Sequence, residues 1–209
     1  MDAVVNDYVA AVTNGVNVQP QVASLNMLWL DNALTEFNGG PDAILNDRLK
    51  SKGGYLRKPF KDNQIAALYR GLTDPDYQGW GTLYVASYGG QVNAVGSTAT
   101  AVAQRDCLFK LWFSTGWADP GEDESRVAWL RKLYRDVFAE TGGVPVPNDN
   151  QDGSFINYAD VDLKNPAWNT SGVSWTTLYW KQNYRKLQRI KAKYDPRHVF
   201  QHALSIEPA

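Results

Sequence analysis

The side chains that could do chemistry here are two tyrosines, a spaced pair of aspartates, two histidines and one cysteine. Tyr158 stands in Phe155-Ile156-Asn157-Tyr158-Ala159-Asp160, just after a run rich in Gly, Pro, Asn and Asp from Thr141 to Gly153. A phenol titrates near about 10. It therefore acts as a base only where hydrogen bonds or a nearby cation stabilise the phenolate. Tyr88 stands in Ser87-Tyr88-Gly89-Gly90, where two glycines permit a tight turn and close backbone approach to a ligand. On its own the loop tyrosine Tyr158 reads first as a packing residue, and Tyr88 reads equally well as an ordinary strand-end aromatic. Asp160 and Asp162 share one side of an extended segment, an arrangement open to acid/base work or metal binding. Lys164-Asn165-Pro166 follows them and points to a turn, which favours a structural role. His198 and His202 lie four apart, the spacing of one helix face. Asp195-Pro196 reads as a helix boundary just before them, and no HExxH glutamate accompanies them, so no metal is expected. Cys107 lies in an apolar run without an adjacent histidine and reads as a small buried hydrophobe.

The elements that must position these groups follow from periodicity. Val4, Val5, Tyr8, Val9 and Val12 fall on one face of a short helix, and Leu25 to Leu30 reads as a second. Gly53 to Arg57 reads as a strand ending at Pro59. Lys61 to Leu72 carries Ile65, Leu68, Tyr69 and Leu72 at helical spacing. Gly81 to Tyr88 and Cys107 to Thr115 read as strands. Glu122 to Ala139 is the clearest helix, with a stripe of Val127, Leu130, Leu133, Tyr134, Val137 and Phe138. Tyr184 to Tyr194 is the last, with Leu187, Ile190 and Tyr194 expected inward and basic residues outward. Strands and helices mixed in this way predict an α+β domain in which helices cover a mostly antiparallel sheet, as a single unit over residues 1–209.

Composition excludes several classes. The chain has 209 residues, 44% hydrophobic and 21% charged, enough to bury a core, with one cysteine and hence no internal disulfide. A net charge of -1 gives no electrostatic reason to expect nucleic acid or an anionic membrane. The basic run Lys181, Arg185, Lys186, Arg189, Lys191 and Lys193 is read as a solvated helix face, and so is the Arg57-Lys58 pair. No apolar run reaches the roughly 18 residues of a membrane span. The start, MDAVVNDYVAAV, lacks a basic leader, so a soluble and cytoplasmic protein is expected. No GxSxG, Walker A or GxGxxG element occurs. Eight Trp and eleven Tyr fit either dense packing or a pocket for a flat or sugar-bearing ligand.

The last quarter, FINYADVDL, WTTLYWKQNYRKLQRIKAKYDPRHVF and HALSIEP, resembles the C-terminal signature of the berberine-bridge-enzyme family of FAD-linked oxidoreductases. SKGGYLRKPF, SYGG and TATAVAQRD resemble bacterial members that oxidise sugars on antibiotics. The resemblance implies the α+β substrate domain of vanillyl-alcohol-oxidase-type flavoproteins. It implies Tyr158 facing the flavin as the group that takes a substrate hydroxyl proton, with Tyr88 as a second catalytic position. It also implies that Asn157, Asn183 and Tyr179 lie on the cofactor side. Such enzymes carry FAD on an N-terminal domain that this chain does not include, and attach it through a His and a Cys to which Cys107, His198 and His202 do not correspond. FAD is thus expected only together with a separate flavin-binding part. Expected partners are a small natural-product substrate and either that part or a second copy, with no nucleic acid or membrane. Three readings stay open: one part of an FAD oxidase, a flavin-free relative using Tyr88 and Tyr158 for cyclisation or isomerisation, and a binding module.

Overall fold

The computed structural model describes residues 2–15, 28–30 and 48–208. In chain order the regular elements are α1 (Asp2–Thr13), β1 (Arg48–Leu56), α2 (Asp62–Leu72), β2 (Trp80–Ser87), β3 (Phe109–Trp117), α3 (Asp123–Val137), α4 (Trp175–Trp180) and α5 (Tyr184–Tyr194). They fall into two units, Met1–Asn46 and Asp47–Ala209. The first unit contains α1, on which Tyr8 is exposed and Val9 half-buried. The side chains of Val4, Val5 and Val12 lie outside the described set, as does the 25–27 half of the helix expected at Leu25 to Leu30. No described helix is long and apolar enough to cross a membrane.

Everything that follows lies in the second unit, an α+β fold on an antiparallel sheet of order β1-β3-β2. Alternation builds the sheet. In β3, Leu111, Phe113 and Thr115 are buried, and Lys110 and Trp112 point to the other face half-exposed. The register sets Gly53, Trp112 and Tyr84 side by side on that second face, with Ser51, Ser114 and Thr82 in the next row. Helix α3 covers the first face. Its stripe Trp129, Leu130, Leu133, Tyr134 and Val137 packs with Leu56, Leu111 and Phe113 into the core. Burial of each such side chain contributes roughly 1.5–3 kcal/mol.

The structure departs from the sequence expectation at three places. Strand β1 starts at Arg48, not Gly53, because Lys50 and Lys52 break the apolar pattern yet are held by carboxylates described below. Helix α2 turns Gln64, Ala67 and Gly71 towards α3 and leaves Ile65, Tyr69 and Leu72 exposed. Small residues allow the two helices to approach closely: a Cβ on Gly71 would lie 2.6 Å from Leu133 Cδ1. In α5 only Tyr184 and Leu187 reach the core; Ile190 and Tyr194 are exposed because the helix docks by its first turns alone.

Gly153 fixes the chain leading into the tyrosine loop. Its φ is +80°, and a Cβ there would sit 2.1 Å from the Leu178 carbonyl oxygen. Gly153→Ala is therefore expected to destabilise by at least about 1–3 kcal/mol. Urea denaturation checks this, and an unchanged midpoint would show that the loop relaxes freely.

Candidate active site

The segment from Asn150 to Asp162 straddles the edge of β1. Tyr55 N donates to Gly153 O at 3.0 Å, and Asp152 N donates back to Tyr55 O at 3.0 Å. Ser154 Oγ then donates to Gly53 O at 3.0 Å, a carbonyl that also receives the Tyr134 hydroxyl at 2.7 Å. Beyond this point the chain turns through Phe155 and Ile156, and Tyr158 N closes on Phe155 O at 3.0 Å. The Tyr158 ring settles on Gly53, where a Cβ would be 3.2 Å from Tyr158 Cδ2. A glycine at this strand position gives the phenol its place against the sheet.

On that face the rings form a wall. Tyr158 stacks on Trp112 at 5.4 Å and 16°, and Trp112 stacks on Tyr84 at 5.1 Å and 20°. Phe155 meets Tyr158 edge-on at 5.4 Å. Lys110 Nζ lies 4.6 Å from the Phe155 centroid and 5.8 Å from that of Tyr158. Among the described residues the Tyr158 hydroxyl makes no hydrogen bond, and burial raises its pKa. Tyr88 joins the wall through Tyr55, whose ring is 5.0 Å from Tyr88 and 6.1 Å from Phe155. The Tyr88 hydroxyl donates to Gln104 O at 3.0 Å, and burial raises this phenol too. The structure thus links the two tyrosines singled out in the sequence through shared ring contacts.

The three cofactor-side candidates separate. Asn157 is exposed beside Tyr158. Asn183 is buried, and its Nδ2 donates to Ser97 O, Thr100 O and Ala101 O at 2.7, 3.0 and 3.3 Å. The buried Tyr179 hydroxyl accepts from Asp160 N at 3.0 Å, and burial pushes its phenol up. In this chain Asn183 and Tyr179 brace the loops around the wall.

A set of residues that sequence reasoning did not assemble holds the loop from behind. Lys52 Nζ bonds Asp160 Oδ2 at 2.6 Å and Asp162 Oδ2 at 2.8 Å. Lys50 Nζ bonds Asp160 Oδ1 at 2.7 Å, and Arg131 forks onto Asp162 through Nε at 2.9 Å and a terminal nitrogen at 2.6 Å. Burial by itself would raise the Asp162 carboxyl; the Arg131 hydrogen bond and the Lys52 and Lys50 charges outweigh it and hold the group well below the usual range. The sequence did carry a signal: Lys50 and Lys52 alternate on a strand as Asp160 and Asp162 do in the loop.

The remaining candidates are structural. Arg57, read as solvated, pairs with Asp106 at 2.9 Å and with buried Asp152 at 2.7 Å, and Lys181 reaches Asp152 from the other side. Cys107 is buried beside Asp152, and burial pushes its thiol up to about 12. Asp106, Cys107 and Asp152 are the one group among the described residues close enough to share a metal, and Arg57 and Lys181 already neutralise its carboxylates. The chain after α5 is not helical, so the helical spacing argued for His198 and His202 does not apply.

Residues 154–207, which contain the tyrosine loop folded over the edge of the antiparallel sheet, match the family described as Berberine and berberine like. Over its whole length the chain is similar to berberine-bridge-enzyme-like oxidases. It is 53% identical over 208 residues, 99% of its length, to the aclacinomycin-N/aclacinomycin-A oxidase of Streptomyces galilaeus, of which it covers 37%. The crystal structure of aclacinomycin oxidoreductase superposes on it with a TM-score of 0.90 at 52% identity, covering all of this chain and 42% of that one. A glycopeptide hexose oxidase crystallised with teicoplanin superposes at 0.88 with 45% identity, covering 99% of this chain and 40% of that one. The chain therefore spans about two fifths of the length of these relatives.

The ion network generates a pH prediction. A carboxyl depressed in the folded state stabilises fully above its unfolded value of about 3.9. That contribution drains away as the pH falls towards the folded value. Asp162→Asn should remove this acid-limb dependence and cost about 3–5 kcal/mol at neutral pH by leaving Lys52 and Arg131 under-compensated. Denaturation midpoints between pH 2.5 and 7, on a scale set by about 3.9 for aspartate, check both. Parallel wild-type and variant profiles would refute it.

Proposed function

We propose that this chain forms the substrate-side wall of an FAD-dependent oxidase acting on a hydroxyl of a glycosylated or polyketide-like natural product. The flavin would be held by a separate flavin-binding part. The observation that carries this reading is Tyr158: its ring is fixed on Gly53 and Trp112, and among the described residues its hydroxyl has no hydrogen-bond partner. The likeness to oxidases whose names include aclacinomycin and hexose supports the same substrate class.

The donor set can be judged against a flavin. A row of stacked rings with an exposed carboxamide at Asn157 fits one side of a flat, polar-edged ring system. The sequence offers no glycine-rich phosphate cradle for the rest of a dinucleotide, so Asn157 and the tyrosine loop would touch only its ring portion. Bound there, the flavin supplies the two-electron acceptor for alcohol oxidation.

The chain's own residues handle the proton. Trp112 is sandwiched between Tyr158 and Tyr84, so the exposed Tyr84 ring and the edges of the stack are the apolar surface on which a sugar or flat ring would lie, orienting its hydroxyl to Tyr158. Tyr158 Oη takes the hydroxyl proton as the carbinol carbon loses hydride. Burial opposes the phenolate, and Lys110 is the cation at its ring that favours it. Tyr88 serves as a second proton group once its bond to Gln104 O exchanges for one to substrate.

Tyr158→Phe deletes one oxygen and keeps the stacking. Folding and substrate binding are expected to survive while turnover falls at least about tenfold. Tyr88→Phe should lower it less. Assay with the flavin-bearing part present decides the matter: wild-type turnover in Tyr158→Phe would reduce this tyrosine to packing.

A further inference from the structure

Tyr88 and Tyr158 sit on separate segments, and the end of one short helix is tied to both. Helix α4 finishes at Leu178, Tyr179 and Trp180, all buried. The Leu178 carbonyl accepts Ser154 N at 2.8 Å, and the Tyr179 hydroxyl accepts Asp160 N at 3.0 Å. These two bonds hold the tyrosine loop on either side of Tyr158. Gln104 grips the same end of α4. Its Nε2 donates to Tyr179 O at 3.2 Å and, more weakly, to Leu178 O at 3.5 Å. The carbonyls of a last helical turn lack intrahelical donors, and a side-chain amide supplies one here. Gly153 leaves room for that amide: a Cβ there would lie 3.3 Å from Gln104 Nε2.

Gln104 is also the residue that receives Tyr88. Its main-chain carbonyl accepts the Tyr88 hydroxyl at 3.0 Å. A backbone oxygen cannot swing towards its donor as a side chain does, so the direction of this bond depends on what fixes the segment. Residues 102–105 belong to no helix or strand. Among the described residues none of their backbone N–H groups bonds a backbone carbonyl. Asn183 anchors the chain as far as Ala101. Beyond that point the buried Gln104 side chain ties the segment to α4. One residue therefore touches the Tyr88 hydroxyl with its main chain and the support of the Tyr158 loop with its side chain.

We propose that Gln104 is a positioning residue that sets the placement of Tyr88 relative to Tyr158, through its amide on α4 and its carbonyl on the Tyr88 hydroxyl. It acts through Tyr88 and not on the substrate. Its catalytic meaning rests on the oxidase reading above; its effect on Tyr88 does not.

Two measurements test it. In the purified chain, isotope-labelled at tyrosine Cζ for NMR, the Tyr88 and Tyr158 signals are assigned from their Phe variants. Gln104→Met keeps the side-chain length and removes the amide donors. It is expected to shift the Tyr88 signal and to lower the pH at which that signal titrates, because the hydrogen bond favouring the neutral phenol is lost. Gln104→Asn, whose amide is one carbon shorter, should act in the same direction and serves if the Met variant does not fold. An unmoved Tyr88 signal in a folded variant would overturn the proposal. The second measurement is turnover with the flavin-bearing part present. Gln104→Met should lower kcat about threefold, leave KM within about twofold of wild type, and add nothing in a Tyr88→Phe background. Full additivity with Tyr88→Phe would show that Gln104 acts elsewhere, and the proposal falls. If wild type does not turn over, or Tyr158→Phe matches it, the oxidase reading fails, and the NMR measurement alone decides whether Gln104 places Tyr88.

Discussion

The site depends on one buried cluster of opposite charges. Asp160 and Asp162 leave the tyrosine loop and meet Lys50, Lys52 and Arg131 on the helix side of β1. Two carboxylates facing three cations at low exposure tolerate few alternative arrangements, because moving the loop would strand a charge away from water. The network is therefore better read as a device for position than as a source of net stability. Its geometric effect is lateral. The chain must cross the edge of β1 between Tyr158, which stacks on Trp112 on one face, and Asp160, which binds Lys52 on the other. Pinning the aspartates on one side fixes the tyrosine on the other.

The same logic explains why two side chains with the look of ligand contacts point inward. The Tyr179 hydroxyl holds the backbone N–H of Asp160, and the Asn183 amide gathers three carbonyls between Ser97 and Ala101. Each secures a segment adjoining the wall: the tyrosine loop in one case, the strand-to-strand connection containing Gln104 and hence the Tyr88 partner in the other. Lys181 stands between them with φ of +48°, a strained backbone for a lysine, and reaches the buried Asp152 that lies in the segment paired with β1. Ion pairs and amides buried behind the sheet thus hold aromatic rings in front of it.

Much of this was legible in the sequence, and the reason differs from element to element. The α3 stripe repeats strictly at helical spacing and packs on an apolar sheet face, so local pattern and burial agree. Tyr158 and Tyr88 stood out chiefly because their motifs resemble those of a known family, with turn-forming residues around them in support. Lys50, Lys52, Lys110 and Arg131 did not, because a charged residue is by default a surface residue and its partner lies 31 to 110 positions away. Helix α2 misled for the opposite reason. Its largest apolar residues face outward, since close helix contact selects Ala67 and Gly71 for the interior. Period alone identifies a helix face but not which face is covered when small residues do the packing.

The wall has one side only. Tyr158, Trp112, Tyr84 and Trp80 present their rings on an open sheet face, whereas a small-molecule site normally encloses most of its ligand. A phenol that burial makes more basic and harder to ionise gains catalytic power only when water is excluded and its cationic neighbour acts through a low dielectric. Lys110 is placed for that role but lies over the rings at an open face. On the proposed reading an opposite wall would be needed to enclose the substrate; the relatives are more than twice as long as the part matched here. On the oxidase reading proposed above, the sheet would supply orientation and proton transfer, and closure against a second wall would supply the desolvation that turns a stacked tyrosine into a base.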